Sequence, residues 1–246
     1  MPNHYHNRLS VIGRSSDVNA FVEAAAGVCA TYAPSHPGVL VEPKLLRQSL
    51  CYNALYPVPD AIKAQTYSDA GYRWQIENWG VKWEASYIEG PDIVSTESTT
   101  VATWYFYSPN GHPYRLLDKL AGDYPALVFF NSWGGEGPAR GSQWRFVDVK
   151  ASNKWSANDW PRWVDEDTDD ANHHRDDVWE NAALDVHNDL VGAMVELVNG
   201  LSADLELLCD CLYLPVDPLL TACLCVADNN VVSAYALDHF KRRAGH

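Results

Sequence analysis

The chain has 246 residues, of which 47% are hydrophobic and 20% charged, and it carries a formal net charge of −14. That is ordinary globular composition in a chain long enough for one large domain or two modest ones, so disorder is not expected. The start, MPNHYHNRLSV, lacks the apolar run of an export signal, and the apolar stretch from Tyr213 to Val226 is broken by Pro215, Asp217 and Pro218. Neither secretion nor a membrane span is therefore expected.

In chain order, Arg8 to Gly13 alternates Leu9 and Val11 with polar neighbours, which predicts a strand ending at Gly13. A helix follows, capped by Ser16 or Asp17, with Val18, Phe21, Val22 and Ala25 along one face. Pro34 and Pro37 break the chain. Val101 to Tyr107 reads as a strand, with Ala102, Trp104 and Phe106 on one face and Val101, Thr103, Tyr105 and Tyr107 on the other. Pro113 to Leu120 reads as a short helix, Ala126 to Phe130 as a buried strand and Trp144 to Val149 as a last strand. This order predicts an α+β fold on the ferredoxin-like, split βαβ plan, with helices on one face of an antiparallel sheet.

The charge divides the chain. Residues 1–150 hold 12 Lys/Arg and 14 Asp/Glu, a net of −2, whereas residues 151–246 hold 6 and 18, a net of −12. We therefore expect a domain over 1–150 and an acidic all-helical domain or extension over 151–246, with the polar stretch Ala151 to Ala157 as connector. Within the second part, Val178, Trp179, Ala182, Ala183, Val186, Leu190, Ala193, Met194 and Leu197 form one helical stripe that opens after Asp176 and Asp177. Gly200 closes it, Ser202 and Asp217-Pro218 open two further helices, and a fourth runs from Asn229-Asn230 to Arg243. Lys241, Arg242 and Arg243 then complement a helix C-terminus, which accounts for them better than nucleic-acid binding does.

Little in the sequence points to catalysis. Gly134-Gly135-Glu136-Gly137 and Gly141 lack the G-K-[ST] of a phosphate loop and the G-x-G-x-x-G of a dinucleotide site, and read as a loop or hairpin. Cys209, Cys211, Cys223 and Cys225 have zinc-like residue types, but thiols two apart on a helix diverge, so buried core thiols are the expectation. Asp165, Glu166, Asp167, Asp169, Asp170, Asp176 and Asp177 lack the spacing of a calcium loop and read as a solvated acidic surface that also favours the next helix; with Tyr105 and Tyr107 they are the candidate binding residues. No metal, cofactor or enzymatic activity is predicted.

One resemblance rests on specific strings: Met1-Pro2-Asn3, then Asn7, Leu9, Val11 and Gly13, Tyr56-Pro57-Val58-Pro59, Asn78-Trp79-Gly80-Val81-Lys82-Trp83, Ser108-Pro109 and Gly134-Gly135-Glu136-Gly137. Over about residues 1–150 these resemble the YubB-type ferredoxin-like family of phage and plasmid proteins. The most specific element is the N-W-G-x-K-W string carried by Asn78, Trp79, Gly80, Lys82 and Trp83. His4-Tyr5 stands where that family has Trp-Cys, Val81 where it has Thr, and Asn110 where a second proline is usual. The resemblance implies the cytoplasm of a bacterial host and no iron–sulfur cluster. The string itself reads as a turn entering a strand, with Gly80 at positive φ and the two tryptophans anchoring the sheet.

Three functions follow as expectations. The favoured one is a non-enzymatic effector that binds a protein with a basic surface, for instance an acidic inhibitor of a host defence or nucleic-acid-handling complex, because a net of −12 steers toward basic grooves and repels nucleic acid. The second is an assembly component of the phage particle or infected cell that self-associates through its helices. The third is a single-stranded nucleic-acid binder that stacks bases on Tyr105 and Tyr107, a reading the charge of the full chain opposes.

Overall fold

The structure is a computed structural model that describes residues 3–35, 47–96, 99–135, 140–146 and 149–155. Strand β1 covers His4–Gly13 and starts four residues before the expected point, because Tyr5 and Asn7 continue the alternation of Leu9 and Val11. Helix α1 (Ser15–Ala25) follows, and the capping expectation fails there. Its N-cap is Arg14, which makes no side-chain cap bond. Asp17 lies inside the first turn and pairs with Arg14 at 3.1 Å, adding negative charge at the positive end of the helix.

Short elements fill the next stretch: β2 (Gly27–Val28), β3 (Arg47–Gln48), α2 (Tyr52–Leu55), α3 (Asp60–Lys63), a π-helical turn over Tyr67–Gly71, and α4 (Tyr72–Asn78). Then come β4 (Ser86–Ser95), β5 (Thr100–Pro109), α5 (Tyr114–Asp123), β6 (Val128–Gly135), β7 (Arg140–Phe146) and β8 (Val149–Trp155). Six strands form one antiparallel sheet in the order β4-β5-β1-β6-β7-β8, while β2 and β3 pair separately. The fold is α+β.

The last strand expected from sequence, Trp144 to Val149, is divided between the end of β7 and the start of β8. Phe146 lies opposite Val149 in that antiparallel pair, and in sequence the adjacent apolar residues Phe146 and Val147 break the alternation. Strand β8 then uses Ala151 to Trp155, the stretch read as a connector, as an edge strand paired along its length with β7. Residues 156–246 lie outside the described residues, and with them the acidic run, the helical stripe and Cys209, Cys211, Cys223 and Cys225.

The register sets the helix-side core. Leu9 pairs with Trp104, Val11 with Ala102 and with Phe129, so these side chains share one face. They pack with Phe106, with Val18 and Phe21 of α1, with Leu116, Leu117 and Leu120 of α5, and with Tyr52 and Trp79. Phe21 sits at the centre, meeting Tyr124, Phe129 and Trp104 edge-on at 5.1, 5.3 and 6.0 Å. Fully burying each side chain of this size contributes about 1.5–3 kcal/mol. Toward the end of the same face, Asn7 donates to Ser108 Oγ at 2.6 Å and accepts from Asn131 Nδ2 at 3.1 Å, so one buried amide ties β1 to both neighbouring strands.

Candidate binding face

The sheet has a second face, set by the same alternation, and the tyrosines singled out from sequence lie on it. Tyr105 and Tyr107 are half-buried there. The Arg8 guanidinium lies 5.2 Å from the Tyr105 ring centroid, a cation–π placement, and partial burial lowers the Arg8 pKa against the opposing pull of Tyr105 and Asp92. Tyr107 is the hub of a ring cluster, with His6 at 4.2 Å, Tyr87 at 5.6 Å and His4 at 6.1 Å.

Tyr87 stands apart within this cluster. It is 79% exposed and has φ 49°, the left-handed region that a side-chain-bearing residue rarely adopts. The pairing of β4 with β5 shifts register between Ser86 and Glu89, and again between Glu89 and Asp92. An irregularity of this kind in an edge strand re-aims a side chain away from the regular pleat. The backbone thus holds an aromatic ring in water at a conformational cost of about 1–3 kcal/mol, with little burial to offset it. Farther along β4, Ile93 and Val94 are 49% and 67% exposed.

The N-W-G-x-K-W string does not enter a strand. Asn78 closes α4 and Trp79 follows as its C-cap. The N–H groups of Trp79 and Gly80 both donate to Gln75 O, at 2.7 and 3.2 Å, and Gly80 has φ 86°. The physical reason is that Tyr72, Gln75, Ile76 and Trp79 recur at helical spacing ahead of a glycine, which is a helix stop. Trp79 is fully buried and donates from Nε1 to Tyr56 O at 3.0 Å, while Asn78 accepts from the Tyr56 hydroxyl at 2.9 Å. Lys82 Nζ lies 5.9 Å from the Tyr72 ring, its carbonyl accepts from the Tyr67 hydroxyl at 2.5 Å, and Trp83 is half-buried. These residues pack and brace the turn.

A buried carboxylate went unnoticed in the sequence. Glu84 accepts from the backbone N–H groups of Tyr52 at 2.7 Å and Asn53 at 2.9 Å. Burial pushes its pKa up to about 7 despite those bonds. The neighbouring thiols are raised as well, Cys51 to about 12 and Cys29 to about 11, in each case chiefly by burial and then by the Glu84 charge. Thiols kept protonated in this way are poor nucleophiles. Nothing marks Glu84 in sequence, since the residues that donate to it lie about thirty positions earlier.

Among the described residues, no group of three His, Cys, Asp or Glu side chains is placed to hold a metal ion, and no helix is long and apolar enough to cross a membrane. Asp165, Glu166, Asp167, Asp169, Asp170, Asp176 and Asp177 lie outside the described residues. No family model matches the chain, and no curated protein does. Among solved structures, the chain is similar to the protein api92 from Yersinia pseudotuberculosis, of the DUF1281 family, at 11% identity. That likeness covers 64% of this chain and 99% of the other, with a TM-score of 0.41.

Proposed function

We propose that this chain is a non-enzymatic, protein-binding effector of a phage or plasmid, working in the bacterial cytoplasm against a partner with a basic surface, such as a defence or nucleic-acid-handling complex. The observation that carries the reading is Tyr87, an aromatic ring displayed at 79% exposure from a strained, register-shifted edge strand. Tyrosine is enriched among the few residues that dominate protein interfaces, and backbone strain concentrates where a ligand is met. The net of −12 over residues 151–246 supplies the steering toward a basic partner. The ferredoxin-like plan expected from sequence draws support from the strand order, since β6-β1-β5-β4, with helical connections after β1 and after β5, is what a split βαβ plan requires.

Base stacking is disfavoured on the same face. Tyr105 lies under Arg8 and opposite Glu89, so a base would have to displace a cation and approach a carboxylate. Self-assembly draws its support from Ile93 and Val94 on the open edge of β4. Light scattering tests that second reading, which a strict monomer at high concentration refutes.

The test of the main reading immobilises the full chain and its Tyr87→Ala variant and passes bacterial extract over both. The reading expects retained nucleic-acid-binding proteins that free DNA competes away, that elute as salt rises from about 0.1 to 0.5 M, and that Tyr87→Ala retains at least about tenfold less well. Equal retention by the variant, or retention indifferent to salt, contradicts it.

A further inference from the structure

The sheet's second face carries a core of its own. Ile12, Val101, Val128 and Phe130 alternate away from the helix-side cluster, and they are 0%, 7%, 0% and 1% exposed. Ser10 and Thr103, paired across β1 and β5 with their hydroxyls 2.9 Å apart, are 0% and 7% exposed on the same face. A strand side chain on an open sheet face keeps substantial contact with water, whatever its in-plane neighbours do, so burial this complete requires a layer above the sheet. The described helices do not supply that layer. Their core residues Val18, Phe21, Leu116, Leu117 and Leu120 join Leu9, Val11, Trp104 and Phe129 on the opposite face.

We infer that the C-terminal apolar stripe from Val178 to Leu197 docks across this second face and converts the two-layer fold into a helix–sheet–helix sandwich. Two features fit that occupant. The stripe's 20 residues make a helix about 30 Å long, which matches the roughly 33 Å of a ten-residue strand such as β1 or β5. The 22 residues between Trp155 and Val178 must bridge only three strand spacings from β8 to β1, about 14 Å.

The test replaces Tyr105, and in a separate full-length chain Tyr107, with the photo-crosslinker benzoylphenylalanine, a ring of related shape. A third chain carries it at Tyr72 on the helical side. Illumination followed by peptide mapping is expected to join positions 105 and 107 to residues 176–197 within one monomer, and position 72 to none of them. Cross-links from 105 and 107 that run between two chains place a second copy on the face instead and overturn the inference. Cross-links to another segment, or to no peptide, overturn it as well. Two independent second-face positions keep the test decisive if either substitution prevents folding.

Discussion

Replacing Glu84 by glutamine isolates the carboxyl that, among the described residues, burial shifts upward in spite of its hydrogen bonds. In the folded protein its pKa rises from 4.5 to about 7, whereas in the unfolded chain it returns to the ordinary carboxyl value. The folded state therefore binds a proton that the unfolded state has released at any pH between those values. Stability from this group is fully present below pH 4.5 and is lost as pH rises through about 7. At about 1.4 kcal/mol per unit, the whole window amounts to roughly 3 kcal/mol. Glutamine keeps an oxygen for one of the N–H groups of Tyr52 and Asn53 and turns its amide toward the other, which costs a fixed amount at every pH. The assay is urea unfolding of both proteins, followed by tryptophan fluorescence at constant high salt from pH 4.5 to 8. The stability advantage of the wild type over Glu84→Gln should shrink by roughly 3 kcal/mol across that range. Curves that stay parallel, or an advantage that grows with pH, refute the reasoning.

Other substitutions read different parts of the fold. Trp79→Ala opens a cavity in the helix-side core and leaves Tyr56 O without its indole donor, so urea unfolding should show a loss of about 3–5 kcal/mol. Gly80→Ala meets both a positive φ and the Tyr114 ring, 2.9 Å from where the new Cβ stands, and should cost about 1–3 kcal/mol in the same measurement. Tyr87→Gly relieves the strain at φ 49° and should leave the melting temperature unchanged or raised, in contrast to its expected effect on binding. Alkylation at pH 8 with peptide mapping should find Cys29 and Cys51 unmodified in the native chain and modified in urea, because burial holds both thiols protonated.

The sheet was legible where alternation is long and one-sided. Leu9 with Val11, and Ala102 with Trp104 and Phe106, announced β1 and β5 together with the face each turns to the core, and Val18 with Phe21 announced α1. Sequence gave less warning where an element is short or held by distant partners. The four-residue helices α2 and α3 complete about one turn each, too little for a periodic signal. Strand β4 hides its alternation behind two register shifts and the Gly90-Pro91 pair, so both the strand and Tyr87 were missed. The N-W-G string misled because its glycine does adopt positive φ, but just past the end of a helix that starts at Tyr72. Of the candidate site, Tyr105 and Tyr107 were visible as one face of a strand, whereas His4, His6 and Arg8 join them only through a cross-strand register of about a hundred residues.

A protein with this charge division meets either a basic protein or a nucleic acid. Fluorescence anisotropy of a labelled single-stranded oligonucleotide decides between them, measured first with the full chain alone and then with a captured nucleic-acid-binding partner to which the chain is added. The account predicts no anisotropy change with the chain alone, and release of the oligonucleotide from the partner as the chain approaches equimolar amounts. An oligonucleotide that binds the chain itself, or that stays on the partner at excess chain, contradicts it.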